Sequence, residues 1–162
     1  MGDGTDIDAV MSALAEMEAR PAPVVSDMLS IQSRGCATDI AIDVIALALD
    51  VGGIPGGKSV AGKLFDNLPK MAQKRIIQII KTIDASSFAG SVWDILQILY
   101  NELSWNAIKN SFSDFGLWES IKLGTSLIAL FVSGGVAFII NLALRTIAIT
   151  ELIIAISQCD EF

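Results

Sequence analysis

Hydrophobic residues recur at helical spacing along most of the chain, and no alternating strand pattern persists for more than a few residues. The pattern predicts an acidic N-terminal helix within residues 1–20 and amphipathic helices across residues 21–116. We place these helices at residues 25–32, 39–51, 68–83, 88–103 and 105–112. The sequence therefore predicts an all-α fold, a compact bundle of six to eight amphipathic helices in a single domain of residues 1–162.

The last third of the chain has a different pattern, because residues 123–144 form a run of 22 residues without a charged side chain. Apolar runs longer than about 18 residues can cross the hydrocarbon core of a bilayer. Ser133, Gly134 and Gly135 interrupt the run near its middle, and adjacent glycines break or kink helices. We therefore predict a C-terminal hydrophobic helical hairpin at residues 117–158, with its tip at these three residues and the other helices around it.

Charged residues lie mostly outside this run. The chain has 18 acidic and 11 basic residues, no histidine and a net charge of −7. A polar N-terminal half before an apolar segment of membrane length fits a protein that is soluble first and inserts later. The N-terminus lacks the basic and apolar regions of a signal peptide, so we expect a soluble cytoplasmic or secreted form that acts at a membrane. The alternative is a soluble domain whose apolar hairpin is only its core.

Residues 52–59 match the phosphate-binding pattern G-x-x-x-x-G-K-[ST]. A loop of this kind needs a parallel sheet around it and an acidic residue on a second strand, and no other segment has the pattern of a buried strand. Asp39, Asp43 and Asp50 lie on one side of a helical wheel, which favours a helix in front of the motif. We interpret residues 52–59 as a flexible interhelical loop, with nucleotide binding as the alternative.

Lys70, Lys74 and Lys81 form a narrow stripe on the predicted helix 68–83, opposite an apolar face rich in isoleucine. A basic amphipathic helix can lie on a membrane, where each lysine near anionic headgroups contributes about 1 kcal/mol. We therefore predict that these lysines contact lipid headgroups. The alternative is an ordinary surface helix with a solvated basic face.

Asp39, Asp43 and Asp50 follow one edge of an otherwise aliphatic helix, and Glu151 interrupts the apolar sequence after Arg145. Carboxylates held close together disfavour one another's charged forms. These four acids are therefore candidate pH sensors, and the alternative for the three aspartates is the polar edge of a packed helix.

The sequence has few residues suited to catalysis, because it contains no histidine and no pair of carboxylates that stands out as a site. Cys36 and Cys159 lack the spacing of metal ligands, and we expect them to be free core residues, with a single disulfide as the alternative. We expect no enzymatic activity, no metal and no cofactor. An acidic chain would also be repelled by nucleic acid.

An acidic, all-helical domain that ends in an apolar hairpin with a glycine tip resembles the pore-forming domains of colicins and related polymorphic bacterial toxins. The resemblance covers about residues 117–156, and residues 41–57 resemble apolar stretches near the toxin domains of polymorphic effectors. It implies a bacteriocin-like, ion-channel-forming toxin or effector that inserts into an anionic bilayer, with an immunity protein or further copies of itself as partners. The alternatives are a soluble all-α protein-interaction domain and a constitutive membrane immunity or accessory protein.

The resemblance also assigns the residues that would enter the bilayer, which are Leu127, Leu130, Phe131, Ser133, Gly134, Gly135, Phe138, Ile139 and Ile140. We expect the apolar faces of the hairpin to be buried in the soluble form, because an exposed patch of that size would cause aggregation.

Overall fold

The computed structural model describes residues 7–19, 35–133 and 135–162. These residues contain nine α-helices and no strand, which confirms the all-α class. The helices are α1 (Ile7–Ala19), α2 (Cys36–Val51), α3 (Gly57–Asp66), α4 (Lys70–Lys81), α5 (Phe88–Glu102), α6 (Trp105–Ser111), α7 (Leu117–Ser133), α8 (Gly135–Ala143) and α9 (Thr146–Gln158). A short 3-10 helix, Ser113–Phe115, lies between α6 and α7.

The prediction of six to eight helices is too low for two reasons. The glycine-rich sequence around α3 hid a short helix, and the apolar tail folds as three helices instead of two. By contrast, α2, α4, α5 and α6 begin and end within three residues of the predicted segments. The predicted helix 25–32 and the tip residue Gly134 lie outside the described residues.

Helices α2 and α5 form the centre of the bundle. Helix α2 contacts α3, α4, α5, α8 and α9, and α5 also contacts α4, α7 and α8. Ile45 and Leu49 of α2 and Leu96 and Leu99 of α5 are fully buried. Because burying an aliphatic side chain of this size stabilises a fold by about 1.5–3 kcal/mol, these two helices anchor the core.

The apolar tail does not form the expected packed hairpin. Helix α7 packs on α1 and α6, α8 packs on α5, and α9 packs on α2. Aromatic residues on α5 and α6 hold α7 and α8 separately. The ring of Trp105 on α6 lies so close to Gly124 that a Cβ there would be 2.9 Å from it. Trp93 on α5 stacks on Phe138 of α8, with their ring centroids 5.7 Å apart.

The two ends of the described α2–α9 region are joined covalently. Cys36 and Cys159 form a disulfide with their Cα atoms 5.9 Å apart, so the expectation of two free cysteines is wrong. The physical reason is that the fold brings the end of α9 beside the start of α2. Glu161 Oε1 accepts a hydrogen bond of 2.9 Å from the backbone N–H of Ala37 in the first turn of α2. We call the disulfide and this hydrogen bond the C-terminal clasp.

Candidate membrane-contact surface

The residues predicted to enter a bilayer differ in exposure. In order from buried through half-buried to exposed, they are Leu127, Phe131 and Phe138, then Leu130, Gly135 and Ile139, then Ser133 and Ile140. Gly134 lies outside the described residues. The expectation that the apolar surface of the tail is buried is therefore wrong at Ile140, which is 57% exposed.

Several large apolar side chains are exposed along α8 and α9. We call them the α8–α9 apolar face, and their exposed fractions lie between 49% and 77%: Val136, Ile140, Leu144, Ile147 and Ile154. On α8 this face lies opposite the buried Phe138 and Leu142. Helix α8 has apolar residues on both sides, and packing on α5 covers only one of them, so the other remains in contact with water.

Helix α5 holds both sides of the bend between α7 and α8. Gln97 donates a hydrogen bond of 3.1 Å from its side-chain amide to the carbonyl oxygen of Phe131 near the end of α7. Helix ends leave carbonyl groups without intrahelical partners, and this hydrogen bond satisfies one of them. On the other side of the bend, Trp93 contacts Phe138. Helix α5 thus fixes the bend and leaves the outer side of α8 exposed.

Length and composition set how the apolar tail could relate to a membrane. Among the described residues, no helix is by itself long and apolar enough to span a bilayer. Helices α7 and α8 meet that requirement only when they are taken together across their bend of 95°. The bend would therefore have to straighten before α7 and α8 could cross a membrane as one helix.

A second exposed apolar patch precedes and begins α7. It consists of Phe115, Leu117 and Trp118, and Trp118 is 77% exposed. Tryptophan is enriched at the boundary between membrane and water. These residues, and likewise Val136, Leu144 and Ile147, were not among the membrane-contact residues predicted from the sequence. These residues could have been noticed in the sequence because they are large and apolar but do not fit the apolar stripe of an amphipathic helix.

Lys70, Lys74 and Lys81 are all exposed on α4, on the side away from the buried Ile76 and Ile80. We call the three lysines the α4 lysine stripe. None of them has an ion-pair partner in the part of the chain that the structure describes. Their charges are therefore available to an external anion.

The candidate pH sensors on α2 do not form one cluster of like charge. Asp43 lies 2.9 Å from Lys58, and Asp50 lies 2.7 Å from Arg145. The hydrogen bond and the charge of Asp43 raise the pKa of Lys58, and Asp39 adds a smaller attraction. Each aspartate on this edge of α2 thus interacts with a base on another element.

Glu151 has different surroundings, because it is exposed on α9 between two members of the α8–α9 apolar face. Ile147 precedes it by one helical turn, and Ile154 follows it by three residues. No ion-pair partner of Glu151 occurs in residues 7–19, 35–133 and 135–162. Glu151 also lines a groove beside Asp43 and Lys58, so its carboxylate lies at the edge of the apolar face on α9.

The glycine-rich motif at residues 52–59 connects two helices. Helix α2 ends at Val51 and α3 begins at Gly57, so that Lys58 lies in the first turn of α3. Gly56 has φ +118°, a conformation that suits glycine and permits the sharp entry into α3. The described residues contain no strand in front of the motif, and Lys58 binds Asp43. The arrangement is that of an interhelical connection.

One group of side chains has the composition of a metal site. The sulfur atoms of Cys36 and Cys159 and a carboxylate oxygen of Glu161 lie within 4.8 Å of one another. The sulfurs are bonded to each other, and the carboxylate accepts a hydrogen bond from α2. These contacts give the group a structural role in joining α9 to α2.

The chain has no match among known protein families, curated protein sequences or solved structures.

Proposed function

We propose that this protein is a membrane-inserting, pore-forming domain of a bacterial toxin or effector, which is soluble until it meets an anionic bilayer. The observation that carries this proposal is the α8–α9 apolar face, which borders the uncharged run 123–144. Extended exposed apolar surfaces mark sites that bind a membrane or another protein. Here three members of the face, Val136, Ile140 and Leu144, lie within a run that has the composition of a membrane span.

The α4 lysine stripe supplies the first attraction to the membrane in this proposal. The net charge of −7 opposes approach to an anionic surface at long range. At physiological ionic strength, however, charges are screened beyond about 8 Å, so the nearest residues determine the interaction at contact. Three lysines at that distance, none of them ion-paired within the described residues, contribute about 3 kcal/mol.

Insertion follows from the dimensions of the tail. If α7 and α8 straighten at the bend, residues 123–144 form about 33 Å of helix at about 1.5 Å per residue. The hydrocarbon core of a bilayer is about 30 Å thick, so this length is sufficient to cross it. A continuous helix also satisfies its own backbone hydrogen bonds, which a membrane interior requires. The contacts of Gln97 and Trp93 are given up in this step.

Acid favours insertion for two reasons. Ordinary carboxylic acids titrate near pH 4, so acidification reduces the repulsion between the protein and an anionic bilayer. Protonation also removes the cost of drawing the charge of Glu151, seven residues beyond the inserted run, towards the lipid.

The test measures dye release from anionic and from zwitterionic vesicles by detergent-free protein, between neutral pH and about pH 4. We expect release that is stronger from anionic vesicles and rises steeply as the pH falls. A Glu151→Gln protein should need less acid, whereas Glu119→Gln, a change at an exposed glutamate paired with Lys122, should behave like the wild type. The absence of release at every pH from a folded protein, with its disulfide intact or reduced, would overturn the proposal.

A second candidate function is a protein-interaction domain. Phe115, Leu117 and Trp118 are exposed, and aromatic residues of this kind often anchor protein interfaces. In that case the protein remains unbound to vesicles in a flotation experiment across the same pH range. A third possibility, a constitutive membrane immunity or accessory protein, requires detergent for purification.

A further inference from the structure

We infer that the C-terminal clasp is a redox-controlled lock, which keeps α9 on α2 until a dithiol reductant opens the disulfide. The inference rests on the proposed function, because α9 directly follows the α7–α8 segment that would enter the bilayer and its release would free the C-terminal end of that segment. Release of α9 can also be measured without lipid.

Noncovalent contacts hold α9 only weakly. Of its 13 residues, only Ile149 and Leu152 are buried, although most of the helix is apolar. A groove of about 320 Å³ remains where α9 passes over α2 and α3. Small side chains, Ala46, Ala148 and Ala155, contribute to its lining and leave the space unfilled. The apolar contact between α9 and the bundle is therefore thin.

The other end of α9 adds little. Arg145, the residue before α9, pairs with Asp50 at 2.7 Å, but both side chains are largely exposed. Exposed ion pairs contribute little to stability because water and salt screen them. Without the clasp, α9 depends on this pair, on the two buried residues and on the partly buried Ile153, Ala155 and Ile156.

The clasp connects the beginning of α2 with the end of α9. Cys36 is the first residue of α2, and Cys159 directly follows the last residue of α9. Glu161 adds its hydrogen bond to Ala37, and a Cβ atom at Gly35 would collide with the Glu161 carboxylate. A glycine immediately before α2 thus provides the space in which the carboxylate reaches the helix N-terminus.

Opening the lock is a thiol–disulfide exchange. A thiolate of an external dithiol attacks the sulfur of Cys36, which is more exposed than the 8% exposed Cys159. The S–S bond breaks, and Cys159 leaves as a thiolate that takes a proton from water. The second thiol of the reductant then attacks the mixed disulfide and releases Cys36. The protein gains two electrons and two protons, and the reductant becomes a disulfide.

The decisive experiment compares hydrogen exchange of backbone amides in the oxidised protein and in protein reduced with dithiothreitol, without lipid. We expect exchange in α9 to accelerate by about tenfold or more, while exchange in α2 beyond its first turn and in α5 changes little, since the lock releases a local element. Equal protection of α9 in both states would overturn the lock.

Vesicle assays connect the lock with the proposed function. Dye release should begin sooner after reduction, and a Cys36→Ser/Cys159→Ser protein should release dye without reductant and should not respond to it. Asp160→Asn, a change at an exposed residue next to Cys159, keeps both the disulfide and the Glu161 hydrogen bond and serves as the matched control, which should remain locked until reduced. If the double variant does not fold, the exchange comparison on the wild-type protein still decides.

The two proposals fail in different ways. Release of α9 on reduction without leakage from any vesicle supports the lock and overturns pore formation. Leakage that is the same in oxidised and reduced protein, with α9 equally protected in both, supports pore formation and overturns the lock.

Discussion

Helices α2 and α9 are both rich in aliphatic residues, but the bundle uses them differently. Helix α2 buries eight of its 16 residues, whereas α9 buries two of 13. The difference comes from position, because α2 has neighbours on several sides and α9 packs mainly on α2 alone. Apolar composition thus shows how much surface a helix could bury, and its place in the bundle decides how much it does bury. The apolar surface left over on α8 and α9 is what connects this fold with a membrane.

The largest effect should come from comparing matched substitutions in the two regions. Ile45→Ala removes a fully buried side chain from α2 and should lower the free energy of unfolding by about 2–5 kcal/mol. Ile147→Ala shortens an exposed side chain and should change it by less than about 0.5 kcal/mol. Urea denaturation of both proteins measures the difference.

In a membrane assay, Ile147→Ala should have a larger effect than Ile45→Ala. Ile147→Ala should weaken vesicle binding because it removes part of the α8–α9 apolar face, although the fold is unchanged. Equal stability losses from the two substitutions would show that α9 belongs to the core after all.

The next effect concerns a charge placed on the α8–α9 apolar face. Ile140→Asp should leave the fold intact, because Ile140 is exposed, but it should oppose insertion by about 2.5–3.5 kcal/mol, or roughly 70- to 400-fold. Circular dichroism checks the fold, and dye release measures insertion. The control is Ile140→Ala, which removes apolar surface without adding a charge. Unimpaired release by Ile140→Asp would exclude this part of α8 from the inserted segment.

The sequence predicted the helices that have one apolar stripe and one polar face. The positions of α4 and α5 follow from that contrast, since it fixes both the helix and its orientation. The tail lacks a polar face, so periodicity could not indicate which side packs on the bundle. Cys36 and Cys159 are 123 residues apart, and only the fold brings them together.

In the candidate site, too, exposure was predictable only where a helix has one polar face. The exposure of Lys70, Lys74 and Lys81 agrees with the polar side that the pattern indicated for α4. The exposed members of the tail were not predictable, because α8 offers two apolar sides and its contacts with α5 and α2, such as that between Phe138 and Trp93, determine which one is buried. Tertiary contacts, and not local pattern, made that choice.

The role of the α4 lysine stripe can be tested with two variants that have the same net charge. Replacing Lys70, Lys74 and Lys81 with Gln should weaken binding to anionic vesicles by about 3 kcal/mol at low salt and make binding less dependent on salt. The matched control replaces three ion-paired lysines, Lys58, Lys63 and Lys122, with Gln. Both triple variants lose three positive charges. Equal weakening in the two would show that total charge, and not the stripe, determines binding.

The smallest effect concerns the turn that begins α5, the helix that holds α8 in its bend. Hydrogen bonds from the hydroxyl of Ser86, at 2.7 Å, and from the backbone N–H of Ser87, at 2.9 Å, lower the pKa of Asp84 below its ordinary value of 3.8. A carboxylate whose pKa is lower in the folded state stabilises the fold above the unfolded pKa, and this contribution is lost as the pH falls through the folded pKa. Asp84→Asn should therefore lower the urea midpoint slightly at neutral pH and leave it unchanged well below pH 3.8. A difference between the two proteins that persists in strong acid would assign the effect to the shape of the side chain instead of its charge.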